Sequence, residues 1–146
     1  MTRSIEREIR VEASPEVVYE VISSPEHLRE WWPDEFDLDP VPGASGQITF
    51  RRPDGDKVEP LTVVEADPPR RFSFRWAYTG ETATAENSLL VTFDVVPTDG
   101  GTLLRFAETG YDEASKSDEM LADHTTGWDY FLPRIPPYAE KLAQRP

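Results

Sequence analysis

The chain has 146 residues, a formal net charge of −13 and no cysteine, so disulfides, thiolate nucleophiles and thiolate metal sites are excluded. So acidic a surface repels phosphate backbones, and no nucleic-acid partner is expected. Neither a signal-length apolar run at the start nor a stretch near the ~20 apolar residues of a membrane span occurs. No membrane insertion is expected, and the cytoplasm is the expected compartment.

The length predicts one domain over residues 1–146 with a sizeable core. Residues 3 to 12 alternate, with Ile5, Ile9 and Val11 on one face and Glu6, Glu8, Arg10 and Glu12 on the other. Arg7 interrupts the apolar face of this half-buried strand. Ser14-Pro15-Glu16 carries a helix-start signal: a capping hydroxyl, a proline suited to the first helical position, and an acid that complements the positive helix end. Ser24-Pro25-Glu26 repeats it, predicting a second short helix to Glu30. Residues 34 to 46 mix four acids with Pro40, Pro42, Gly43 and Gly46, which reads as an exposed connection holding a short edge strand. Their spacing does not match a calcium loop, and no metal is expected.

Strand signals then recur through Ile48 and Phe50, through 58–66 with Pro60 marking an edge or bulge, and through Phe72, Phe74 and Trp76. They continue through Leu89, Val91, Phe93 and Val95, and through Leu104, Phe106 and Glu108. Thr98-Asp99-Gly100-Gly101 is a tight hairpin signal. From about Ser115 to Ala143 the apolar residues Leu121, Trp128, Phe131, Leu132, Ile135, Tyr138, Ala139 and Leu142 form a helical stripe. Pro133, Pro136 and Pro137 predict a break or kink at 132–137 and a shorter helix from Pro137 to Leu142. The order is strand, two short helices, about six strands in an antiparallel meander, and a long helix. This predicts an α+β fold in which a twisted sheet curls around the last helix and parts from it at one end, leaving an apolar hollow.

The chain resembles a known family. Ser14-Pro15-Glu16-Val17-Val18-Tyr19, Pro25-Glu26-His27-Leu28 and Trp31-Trp32 are similar to the opening of the heat-shock-protein-90 ATPase activator homologues. The segment from Val64 to Trp76 resembles their central signature, as do Gly101-Thr102-Leu103-Leu104 and His124-Thr125-Thr126-Gly127-Trp128. That family lies in the START-like, or SRPBCC, helix-grip superfamily. The resemblance implies a helix-grip fold with a cavity between sheet and long helix. Members bind lipids, sterols or polyketides and a few catalyse cyclisation, so it implies no particular reaction.

The aromatic residues Trp32, Phe50, Phe74, Trp76, Phe93, Phe106, Trp128 and Phe131 are expected to face inward. As a group they exceed what a small core needs and are the expected lining of a ligand cavity. Strand parity turns Glu108 inward as well. A buried carboxylate must be paired, hydrogen-bonded or protonated, and His124 is its expected partner. The partner expected is a small apolar or amphipathic molecule, with no cofactor. Two alternatives stand beside it. One is an enzyme of the cyclase or hydratase kind using Glu108 and His124 as acid and base. The other is a protein-interaction module, such as a chaperone cofactor or a homodimer. Arg70 and Arg71 are expected to pair with acids on the outer face rather than clamp an anion. No HExxH, GxSxG or P-loop spacing occurs.

Overall fold

A computed structural model describes residues 3–80 and 82–144. Strand β1 (Ile5–Val11) leads into helices α1 (Pro15–Ser23) and α2 (Pro25–Trp31). Strands β2 (Glu35–Asp37), β3 (Ser45–Phe50), β4 (Lys57–Asp67), β5 (Arg71–Trp76), β6 (Leu89–Thr98) and β7 (Gly101–Thr109) follow. Helix α3 (Asp118–Phe131) passes through a 3-10 turn (Leu132–Arg134) into α4 (Ile135–Ala143). The strands form one curved sheet in the order β1-β7-β6-β5-β4-β3-β2, with every neighbour antiparallel. The meander read from the alternation is therefore the sheet, and β1 closes it against β7. With the short helices after β1 and the long C-terminal helical segment, this is the helix-grip fold.

The concave face carries the core. Rows of register partners cross it, among them Phe72, Phe93 and Phe106 on β5, β6 and β7. Helix α1 lies over β5, β6 and β7 with Val18, Val21 and Ile22 fully buried, and α4 packs on α1 and β1. The β-branched residues of α1 are poor helix formers, so this packing is what holds the helix. The convex face carries charge instead. Glu8 accepts from Arg105 at 2.9 Å, Arg105 is the register partner of Asp94, and Asp94 accepts from Arg71 at 2.6 Å. Arg70 bonds Asp67 at 2.6 Å, so both arginines pair with acids.

Local departures from the sequence reading have physical causes. Ser14 caps α1 as expected, its hydroxyl accepting from the Val17 N–H at 3.3 Å. Ser24 makes no side-chain cap; its backbone carbonyl accepts from His27 and Leu28 instead. Pro60 lies in an interior strand, not an edge strand. The β4–β5 pairing begins at Leu61, however, so Pro60 sits beyond it and that flank is locally unpaired. The bulge falls at Val64, between register pairs Val63 and Glu65.

The break expected at 132–137 is present: α3 ends at Phe131, and the chain passes through the 3-10 turn into a separate, shorter helix α4. Pro133 is the second residue of the 3-10 turn, and Pro136 and Pro137 fall in the first turn of α4. There the missing N–H groups are ones a helix start leaves unbonded anyway. The buried stripe Trp128, Leu132, Ile135 and Ala139 runs straight through the turn. Helix α4 therefore starts two residues before Pro137, and α3 starts at Asp118, where the Ser117 hydroxyl accepts from the Met120 N–H at 3.0 Å.

Candidate functional site

Helix α3 closes less completely on the sheet than α1 or α4. Of its 14 residues only Trp128 is buried. That indole sits among Phe106, Trp32 and Trp76, with ring centroids at 4.6, 4.9 and 6.0 Å. On the side of α3 that faces β3 and β5 a hollow of about 670 Å³ remains. This lies within the range of small-molecule sites, ~300–1,000 Å³.

The aromatic wall of the hollow is Trp32 after α2, Phe50 on β3, Trp76 on β5, and Trp128 and Phe131 on α3. His124 and Gly127 add the helix face. Charged side chains stand at its edge: Arg51, Arg52 and Lys57 around the β3–β4 turn, Arg134 in the 3-10 turn, and the carboxylates Asp34 and Asp123. Asp34 already accepts from the Arg51 backbone N–H at 2.6 Å. Tyr130, the most exposed large ring of the chain at 65 %, completes the mouth.

Six of the ten residues expected from the sequence thus meet at the hollow: Trp32, Phe50, Trp76, His124, Trp128 and Phe131. Phe74, Phe93 and Phe106 do not line it. They are core residues, fully buried behind it, with Phe93 against Phe106 at 5.4 Å and Phe74 against Trp32 at 5.7 Å. The parity argument placed them correctly inward, but inward residues near the middle of a sheet meet helix side chains rather than the gap at one end.

Glu108 also lies behind the wall and is fully buried. Its row across the sheet is otherwise apolar, with Ile5 and Val91 as register partners. Three donors satisfy it. The Trp76 indole N–H reaches Oε2 at 2.8 Å, and the Tyr111 hydroxyl makes a short bond to Oε1. His124 Nδ1 lies 2.9 Å from Oε1. A carboxylate only accepts, so Nδ1 carries the hydrogen and Nε2 is the ring nitrogen left over. Burial, reinforced by the adjacent Glu108 charge, pushes the Tyr111 hydroxyl pKa far above its ordinary value and keeps it a donor. The carboxylate therefore fixes two residues of the wall, Trp76 and His124, whose rings also touch at 5.1 Å.

Tyr111 was not among the residues read from the sequence. It follows β7 in a turn, where strand parity says nothing, although its spacing of three from Glu108 is what lets the two meet. The cationic rim was also missed, because Arg51 and Arg52 lie 82 and more residues from Arg134 and only the fold joins them. Among the described residues no group of three or more His, Cys, Asp or Glu side chains is placed to hold a metal ion. No helix among them is long and apolar enough to cross a membrane.

The geometry matches known proteins. The structure is similar to protein CV1439 from Chromobacterium violaceum, with a TM-score of 0.77, 19% identity, and coverage of 94% of this chain and 97% of that one. It is similar to protein MLL2253 from Mesorhizobium loti, with a TM-score of 0.75 and 21% identity over 95% and 98% of the two chains. The Aha1 dimer from Colwellia psychrerythraea matches with a TM-score of 0.71 and 24% identity over 94% and 96%. No curated protein matches. At these identities the structures speak to the fold, whereas the sequence model of one family covers residues 12–140. The chain belongs to the family described as activator of Hsp90 ATPase homolog 1-like proteins.

Proposed function

We propose that the protein binds a small amphipathic molecule in the hollow between α3 and the β3–β5 side of the sheet. The observation that carries this reading is the aromatic wall of Trp32, Phe50, Trp76, Trp128 and Phe131 around about 670 Å³ of space. An apolar wall that stays open to a ligand, with a few fixed polar groups at its back, is the usual make-up of a binding site. His124, oriented by Glu108, is such a group.

Gly127 supplies the test. It lines the hollow, and a Cβ built there meets nothing within 4 Å. Gly127→Leu therefore projects a side chain into the space and removes a helix-interior glycine, a change that favours the helix by up to about 1 kcal/mol. The wild type is expected to bind the neutral fluorescent probe N-phenyl-1-naphthylamine. Gly127→Leu is expected to lose that binding while its melting temperature holds or rises. Equal binding by both proteins sinks the reading.

A second reading is favoured by the 2.9 Å contact of Glu108 with His124. In it, His124 moves a proton on a bound molecule while Glu108 holds the ring and its charge. It predicts turnover of a bound compound, lost in His124→Gln without loss of binding. A third rests on the similar protein from Colwellia psychrerythraea being a dimer. Self-association of this chain would show as a dimeric mass in sedimentation equilibrium.

A further inference from the structure

We infer that the molecule taken by the hollow has an anionic head, a carboxylate, sulfate or phosphate monoester, with its apolar tail against the tryptophans. The inference rests on the binding reading above and adds the charge of the ligand. It begins from a contrast. The chain has 28 acidic and 15 basic residues, yet the mouth of the hollow gathers four cations against two carboxylates. Asp54 and Asp56, on the same β3–β4 turn as Arg52, do not line it.

The two arginines that matter most are Arg52 and Arg134. Arg51 is paired with Glu35 at 3.1 Å and Lys57 loosely with Glu59 at 3.7 Å. Among the described residues no carboxylate lies within ion-pair reach of Arg52 or Arg134. Arg134 is nevertheless held in place, its guanidinium 5.8 Å from the Tyr130 ring centroid and one nitrogen 3.4 Å from the Glu30 carbonyl. Among the described residues Arg29 and Arg75 also lack an acid, but only Arg52 and Arg134 of these four arginines line the hollow. Two guanidinium groups without an acid among the described residues, one on the β3–β4 turn and one on the 3-10 turn at the same hollow, are complementary to a negative group brought by something else. Arginine also suits the role geometrically, since its planar fork matches carboxylate and phosphate oxygens.

The depth of the hollow sets the polarity of the ligand. Trp32, Trp76 and Trp128 are almost wholly buried, whereas the four cations are exposed. A tail therefore enters first and the head stays at the rim, where it remains partly hydrated. Rim contacts of this kind give selectivity more than affinity, and they weaken with salt.

The experiment is displacement of N-phenyl-1-naphthylamine by three amphiphiles with one tail: dodecanoate, dodecanol and dodecyltrimethylammonium. Dodecanoate is expected to displace the probe at a concentration about fivefold below dodecanol at low salt, with the cation weakest. The gap should narrow at high salt. The Arg52→Gln/Arg134→Gln double variant, verified as folded by its near-ultraviolet circular dichroism, should bring dodecanoate to the level of dodecanol. Asp123→Asn should widen the gap instead. Dodecanol equal to or better than dodecanoate, or a preference that survives the double variant, overturns the inference and leaves the hollow as a neutral site. If the probe and all three amphiphiles fail to bind, the binding reading falls and the inference falls with it.

Discussion

Glu108 and His124 meet behind the hollow, oxygen Oε1 to nitrogen Nδ1 at 2.9 Å, one from the inner face of β7 and the other from α3. The carboxylate is fully buried and takes three donors, so it joins β5, β7, the turn after β7 and α3 at one point. Glu108→Ala removes the acceptor and leaves the Trp76 N–H and the Tyr111 hydroxyl buried without a partner. Each such group costs about 1–3 kcal/mol. The variant is expected to lose about 3 kcal/mol or more in urea unfolding. Tyr111→Phe removes one donor and leaves an acceptor already served twice, so about 1 kcal/mol is expected.

Trp128 is the only buried residue of α3, and its ring touches Phe106 and Trp32 below 5 Å between centroids. Trp128→Ala is expected to destabilise by about 3–5 kcal/mol. Its near-ultraviolet circular dichroism should fall, since Trp32 loses a tilted and Trp76 an edge-on aromatic neighbour.

Tyr19 presents the opposite case. Its hydroxyl is buried and has no hydrogen-bond partner among the described residues, while its ring packs edge-on against Phe72 at 6.4 Å. Tyr19→Phe keeps the ring and removes the unsatisfied group. The melting temperature should hold or rise, by up to about 1 kcal/mol in stability.

The same hydroxyl predicts an alkaline limit. Burial first, then the charges of Asp67, Glu20 and Glu65, raises the Tyr19 pKa from 10.0 to about 12. The folded state therefore holds this proton more tightly than the unfolded chain. The stability it confers is complete below pH 10 and is lost as the pH rises through about 12. Tyr111 is shifted in the same direction and adds to the effect. Unfolding free energy should fall across this window, and Tyr19→Phe should flatten part of the fall.

Arg7 is the residue that interrupts the apolar face of β1, and its use is now visible. It reaches Asp129 on α3 through two bonds, at 2.8 and 3.1 Å. The bond from Arg7 holds the Asp129 carboxyl below its ordinary value of 3.8. A depressed carboxylate stabilises the fold above the unfolded pKa and loses that contribution as the pH falls through its folded value. The pair is half exposed and screened, so Arg7→Met should cost at most about 1 kcal/mol, less at high salt.

Most of the sheet was legible because the strands obey a period of two. The alternation through Phe72, Phe74 and Trp76 gave the inner face directly, and the hairpin signal at 98–101 gave the β6–β7 pairing. Glu108 was legible for the same reason, since it shares parity with Leu104 and Phe106. The extent of the hollow was not. Phe74, Phe93 and Phe106 carry the same pattern as Trp76, and only the stand-off of α3 at one end separates wall from core. The three prolines located the break between α3 and α4, but not the continuity of the buried stripe across it. Here the 3-10 turn resets the first-turn position, and the stripe from Trp128 to Ala139 survives.

That turn divides the labour of the C-terminal segment. Helix α4 is clamped by the buried Ile135 and Ala139, by the 2.7 Å contact of Tyr138 with His27, and by Glu140 accepting from the Glu12 N–H at 3.0 Å. Helix α3 is held more lightly, by the buried Trp128, the partly buried Met120, Leu121 and Phe131, and a few polar ties. Substitutions on α3 outside these packing and polar contacts can thus reshape the hollow without drawing on the sheet core, so its lining can drift while foldedness stays put.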